Sequence, residues 1–292
     1  MKTGRTAVGA VLALALVFVV VACGSDSGSS GDLLASIEDK GTLTVSTDPA
    51  YPPQSSLNKD TGKYEGFDID VATEIAKRLG VEIAWQAPAW ETITAGNWNG
   101  RWDASVGSMT ITPERSEVLN FTTPYYYTPA AIAVHEDNTT ITSASDLDGK
   151  KIGVCGGCTY DVYLQNKLVI AQDASGEPVE IPSVVTDPTI VTSDTDSTAL
   201  DALKLGDGQR LDAVISAQPT IQAAIDSGAK LKIVGEPLYF EPLSVAIDRS
   251  STLDPASFVE KISGIVDEMH EDGTLTALSK KWYGADLTKQ NS

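Results

Sequence analysis

From Leu43 onward the chain alternates short apolar runs with amphipathic helical stretches, and this alternation limits its fold more than any other feature. Residues 43–45, 81–85 and 104–106 read as strands. Residues 68–79 read as a helix with Ile69, Ala72, Ala76 and Leu79 on one face, stopped by Gly80. Thr112-Pro113-Glu114 has the form of an N-cap followed by proline at the first helical position. A second set begins near Asp146: a strand at 151–154, a Gly156-Gly157 turn and a helix from about Thr159. It continues with a helix at 197–205, a strand at 212–215, a helix at 219–227 and a strand at 231–234. Alternating strands and helices imply parallel sheets covered on both faces, and two such sets imply two α/β lobes. Near the C-terminus, Phe258, Ile262, Ile265, Val266 and Met269 keep helical spacing. Leu275, Leu278 and Trp282 form a second apolar stripe after Gly273, and both stripes read as core.

The start of the chain reads as an export signal. Lys2 and Arg5 precede an uncharged apolar run over residues 7–22, shorter than the about 20 residues that a membrane span needs. The run ends in Val20-Val21-Ala22-Cys23, which resembles a bacterial lipobox. That implies removal of residues 1–22, lipidation of Cys23 and a flexible Gly/Ser tether over residues 23–31. The expected location is the outer face of the cytoplasmic membrane. A net charge of −19, from 40 acidic and 21 basic residues without a basic run, argues against nucleic-acid binding. Two histidines and three cysteines give no zinc pattern, so neither a metal nor a cofactor is expected.

Six segments, in order, resemble the polar amino acid solute-binding proteins of ABC importers, the family 3 extracellular solute-binding proteins. They are Thr47-Asp48-Pro49-Ala50-Tyr51-Pro52-Pro53, Gly66-Phe67-Asp68-Ile69-Asp70-Val71-Ala72, Ser108-Met109-Thr110-Ile111-Thr112-Pro113-Glu114-Arg115, Asn120-Phe121, Asp146-Leu147-Asp148-Gly149-Lys150 and His270-Glu271-Asp272-Gly273-Thr274-Leu275. The resemblance implies an α/β fold of two doubly wound, Rossmann-like lobes joined by two hinge strands, the type II periplasmic-binding-protein arrangement. Lobe 1 would comprise residues 32–128 and 243–292, and lobe 2 residues 129–242. Tyr125-Tyr126-Tyr127-Thr128-Pro129 and Leu243-Ser244-Val245-Ala246 would be the crossings. Ligand would bind between the lobes and be buried by hinge closure. The partners implied are a small amino acid-like solute and the permease subunits of an importer, with the chain itself monomeric.

The resemblance also assigns a site. Arg115 stands where the family clamps the ligand's α-carboxylate, a task suited to a planar guanidinium fork. Thr110 would add a hydroxyl, and the backbone of Gly107 and Ser108 would add amide donors and carbonyls. Tyr51 and Trp90 would form aromatic walls, although Trp90 reads almost as well as core. Asp48 would meet a polar or cationic ligand side chain; it reads equally as the cap of the turn at Pro49. In lobe 2, Gly156-Gly157-Cys158-Thr159 matches the loop that presents amides and the Thr159 hydroxyl to the carboxylate. Cys155 and Cys158 depart from the usual pattern. A structural disulfide is the expected state in an exported protein. A redox pair or half of a metal site is the alternative, and no further metal ligand is evident.

One departure bears on the ligand. Where the family carries an aspartate for the α-amino group, after the strand at 211–215, this chain has Ala217. Either another acid supplies that charge, with Asp196 and Glu241 as candidates by register, or the ligand lacks a conventional amino group. Asp212 reads as structural. Two other functional classes compete: an enzyme on the same scaffold, such as a cyclic-acid dehydratase, and an anchored sensor domain. An enzyme would need an acid or base in the cleft. His135 lies after the first crossing and His270 near the end of a C-terminal helix, so the chain is expected to be a receptor with no catalytic residue.

Overall fold

The computed structural model describes residues 31–172 and 176–290. The segments read as export signal, lipobox with Cys23 and tether, up to residue 30, lie outside the described residues.

The strands expected at 43–45, 81–85 and 104–106 are Thr42–Ser46, Glu82–Gln86 and Ala104–Thr110, paired in parallel around Thr42–Ser46. The second set gives Lys151–Cys155 between Thr189–Ser193 and Ala213–Ala217, again parallel. Between these two groups run the strands Tyr126–His135 and Leu231–Asp248, antiparallel to each other and to their outer neighbours. All eight belong to one sheet, with Leu119–Phe121 added alongside Leu231–Asp248. The sheet is therefore mixed, not wholly parallel. Its two βα groups run in opposite directions, and each of the two middle strands runs against the group it adjoins.

The strand expected at 231–234 and the crossing expected at 243–246 are one 18-residue strand. Its register against Tyr126–His135 shifts between Val234 and Tyr239. It then pairs Glu241 with Thr128 and Leu243 with Tyr126 in the crossing segment.

Each end of the sheet is covered on both faces. Around Thr42–Ser46, one core packs Phe67, Val71 and Ile75 with Phe258, Ile262 and Val266, and another gathers Trp98, Trp102, Met109 and Phe121. At the other end, Ile152, Val154, Tyr163 and Ile215 form one core, and Leu200, Leu203, Val214 and Ile221 the opposite one. Burial of these side chains removes apolar surface from water at about 25 cal/mol per Å². The stripe read at Phe258 to Met269 is wholly buried. In the last stripe Leu275 is buried, while Leu278 and Trp282 pack against the core from its edge.

Two local features position the site. Gly66 precedes the helix Phe67–Leu79 at φ 140°, and a Cβ there would lie 2.2 Å from the Gln54 carbonyl oxygen, so only glycine lets the chain enter that helix. Thr112 caps the short helix Pro113–Ser116 by accepting from the Arg115 amide at 3.2 Å. That single turn delivers Arg115 from the end of strand Ala104–Thr110 into the space between the two ends of the sheet.

Candidate ligand-binding site

A pocket of ≈ 520 Å³, mouth included, opens between the two groups of strands. Its walls bring together all ten candidate ligand residues, Asp48, Tyr51, Trp90, Gly107, Ser108, Thr110, Arg115, Thr159, Asp196 and Glu241, together with Cys155 and Cys158. Tyr160, Asp194 and Thr195 also line it and were not anticipated. Tyr160 follows a Gly-rich turn at the start of a helix, a place where an aromatic ring readily faces a cleft. Nothing comparable in the sequence marks the other two.

Arg115 is 8% exposed. Its guanidinium donates to the Thr110 carbonyl at 3.0 Å and to the Gly157 carbonyl at 3.3 Å, and stacks 5.1 Å above the Trp90 ring. Burial lowers its pKa to about 10, opposed first by the negative field of Glu241. It therefore stays charged at neutral pH, and its two carbonyl contacts leave other N–H groups of the fork for an anion.

The hydroxyls of Thr110 and Thr159 do not stand free for a ligand carboxylate, as the sequence suggested. Both donate to Glu241 Oε1, Thr110 at 2.8 Å, and the Tyr160 hydroxyl donates to Oε2 at 2.7 Å. Glu241 is 2% exposed, and burial raises its pKa while these three hydroxyls and Arg115 hold it down. Ser108 is likewise committed. At φ 55° its amide donates to the Tyr125 hydroxyl at 3.0 Å, and its own hydroxyl donates to Asp68 Oδ2 at 2.7 Å. Gly107, by contrast, presents only backbone to the pocket, and a Cβ there would meet nothing closer than 3.9 Å.

Asp48 lines the pocket, and its Oδ1 accepts from the Ala50 amide at 2.7 Å, the turn cap read from the sequence. Burial raises its pKa. Asp196 is 6% exposed, with Oδ1 accepting from Ser216 Oγ at 2.5 Å. Its pKa is pushed up to about 7, by burial first and then by Glu241 and Asp48. Ala217 ends its strand fully buried and outside the pocket lining. The two acids suggested by register, Asp196 and Glu241, thus both line the pocket, and Ala217 does not. Asp212 binds the Lys151 amide at 2.8 Å, a structural contact.

Cys155 and Cys158 form a disulfide with Cα atoms 5.5 Å apart. Asp196 is a third potential metal ligand that the sequence did not suggest, its carboxylate and both sulfurs lying within 4.8 Å of one another. With the sulfurs bridged, no thiolate is offered to a cation. Neither His135 nor His270 lines the pocket; His270 Nε2 contacts the Pro124 carbonyl at 2.8 Å.

Contacts cross the cleft around this pocket. Besides Arg115 to Gly157, Ser197 Oγ donates to the Ala50 carbonyl at 2.7 Å and the Ala171 amide to the Ile111 carbonyl at 3.1 Å. The pocket is thereby closed over on several sides.

The family model of the bacterial extracellular solute-binding proteins, family 3, matches residues 43–285. The L-cystine-binding protein TcyJ of Escherichia coli (strain K12) is 33% identical over 98% of both chains. Among solved structures, an ancestral arginine-binding protein bound to arginine is 33% identical with a TM-score of 0.70, over 84% of this chain and 99% of that one. The ancestral amino acid-binding protein AncCDT-1, described as a precursor of cyclohexadienyl dehydratase, is 29% identical with a TM-score of 0.71, over 86% and 99%. The two groups of parallel strands joined by antiparallel crossings are the type II periplasmic-binding-protein fold. By the match over residues 43–285 and the relative aligned end to end, this chain belongs to family 3 of the bacterial extracellular solute-binding proteins.

Proposed function

We propose that the chain is a lipid-anchored receptor of an ABC importer that captures a zwitterionic amino acid or close derivative between two lobes. Residues 32–128 with 243–292 would move as one body and residues 129–242 as the other. Cys23 would carry the lipid and hold the domain at the outer face of the cytoplasmic membrane. The observation that carries this reading is one buried cation, Arg115, facing three buried or part-buried carboxylates, Asp48, Asp196 and Glu241, in one pocket.

A solute's carboxylate would take the free edge of the Arg115 fork beneath Trp90. Its ammonium would face Asp196 and Glu241, which replace the acid missing at Ala217. The hydroxyls of Thr110, Thr159 and Tyr160 would then serve the ligand indirectly, by fixing the Glu241 carboxylate. Acids outnumber the single arginine, so a solute with a second cationic or zwitterionic end fits the charge balance best. The relatives' names, cystine and arginine, describe solutes of that kind. Loaded and closed, the protein would pass its solute unchanged to permease subunits.

The test is a thermal-shift panel on the exported domain, pairing L-amino acids, cystine and arginine included, with their deaminated acids and amides. Intact amino acids at a hundred times their dissociation constant should add about 2.7 kcal/mol of stability. Equal shifts from deaminated acids would remove the ammonium from this scheme. Conversion of any bound compound, read by chromatography after incubation, would replace the receptor with an enzyme.

A further inference from the structure

The Cys155–Cys158 bridge stands in the ligand pocket and not beneath a surface loop. Cys155 is 2% exposed, whereas Cys158 is only half-buried and forms part of the open wall. A carboxylate oxygen of Asp196 and the two sulfurs lie within 4.8 Å of one another, a distance one water can span. Among the described residues no lysine or arginine pairs with Asp196. The groups facing it are the Ser216 hydroxyl from its neighbouring strand, Glu241 from the crossing, Asp48 from the opposite wall, and the Tyr51 and Tyr160 phenols. Buried among acids and phenols, this carboxylate has its pKa pushed up to about 7, which suits it to accept a proton and return it.

We infer that the cleft is also a thiol–disulfide exchange site, in which a small thiol entering by the solute's route attacks Cys158 and Asp196 carries the proton. The incoming R–SH gives its proton to the Asp196 carboxylate, and its sulfur forms a bond to Cys158 Sγ. The Cys155–Cys158 bond breaks, the electron pair leaves on Cys155 Sγ, and Asp196 returns the proton there. One thiol and one disulfide become one mixed disulfide and one thiol, so the step balances without an external oxidant or reductant. Attack at Cys158 follows from access, since both sulfurs border the pocket but Cys155 is 2% exposed while Cys158 is only half-buried. The inference rests on the reading of this pocket as open to small solutes.

The probe is 2-mercaptoethanol, which carries neither an amino nor a carboxylate group, acting on the full chain with Cys23→Ser so that only the pocket cysteines report. Bridge opening, followed by acid quench, alkylation and intact mass, should slow about tenfold in Asp196→Asn. The ratio of parental to variant rate should rise as the pH passes about 7. In a second measurement, Cys155→Ser and Cys158→Ser each leave one thiol for 2-hydroxyethyl disulfide. Cys158 should be captured about tenfold faster than Cys155. An opening rate indifferent to Asp196→Asn across that pH range, or equal capture of the two thiols, overturns the inference. Amino acid binding to the same Cys23→Ser chain is measured separately by calorimetry. Binding without exchange removes this inference alone, and exchange without binding removes the amino acid reading alone.

Discussion

The two walls of the cleft hold their buried aspartates differently. On the wall carrying Arg115, the carboxylate of Asp68 is satisfied by protein hydroxyls before any solute arrives. Asp68 accepts from Ser108 Oγ at 2.7 Å and from the Tyr125 hydroxyl at 2.8 Å, and Ser108 meets the Tyr126 hydroxyl at 2.5 Å. On the facing wall, Asp196 has one hydroxyl donor, Ser216, and two acidic neighbours in Glu241 and Asp48. Both aspartates are buried and both are pushed up to about 7 by burial. Only the first is braced by hydroxyls from two other elements. A braced carboxylate fixes backbone, here Ser108 in its left-handed conformation. An under-braced one remains free to pair with something that comes and goes.

Removing the cation should therefore have the largest effect. On the proposed pairing, Arg115→Ala would leave the solute's carboxylate without its partner and should cost about 2–5 kcal/mol of binding while the domain stays folded. Calorimetry reads the affinity and circular dichroism the fold. Unchanged affinity would move the carboxylate subsite elsewhere and dissolve the contrast between the walls.

Glu241→Gln keeps the side chain's shape but removes its charge from the crossing strand. Affinity for an intact amino acid should fall by about 1.5–3 kcal/mol, the range for a hydrogen bond to a charged group. Affinity for the deaminated acid should change little. A parallel loss for both compounds would make Glu241 a brace for Thr110, Thr159 and Tyr160 and leave the ammonium to Asp196.

What could be read from the chain divides along the same line. The Thr112 cap and its first-turn proline were legible from local rules, whereas Arg115 and Thr110 entered through the family resemblance, and the strand read at 104–106 runs on to Thr110. The convergence of Asp196 and Glu241 had no local signal. It depends on a strand and a helix start that meet only when residues 126–135 and 231–248 pair. The commitment of the threonine hydroxyls to Glu241 was invisible for the same reason, since their partner is 131 residues away for Thr110 and 82 for Thr159. Asp68 shows the converse. Its motif placed it at a helix start, but its role as the acceptor of a tyrosine from the crossing strand needed the fold.

The pH dependence of stability sharpens the contrast. A carboxyl held near 7 in the folded protein and at about 3.8 when unfolded binds its proton more tightly when folded. Its stabilising effect is full below the unfolded value and is lost as the pH rises from about 4 to about 7, at on the order of 1 kcal/mol per pH unit per group. Chemical denaturation across this range should therefore show stability falling with pH. Either Asp68→Asn or Asp196→Asn should flatten the slope. Asp68→Asn should also lower stability at pH 4, because an amide cannot accept from both Ser108 and Tyr125 as the protonated acid's two oxygens can. Asp196→Asn has one such contact to keep and should cost less. Equal costs would mean that bracing does not distinguish the two walls.

Opening the bridge should have the smallest effect on the fold. Cys155 and Cys158 close a loop only three residues apart in sequence, so chain entropy assigns the bridge about 2 kcal/mol at most. Reduction should lower the melting temperature of the free domain only modestly. It should weaken solute binding more, because Thr159, which holds Glu241, and Gly157, which accepts from Arg115, sit within or directly beside that loop. The comparison to make is the drop in affinity against the drop in stability on the same reduced sample. If the affinity loss is the larger, the bridge orders the facing wall of the site. If stability falls and affinity does not, the bridge belongs to the core around Ile152 and Val154, and that wall draws its order from the crossing strands alone.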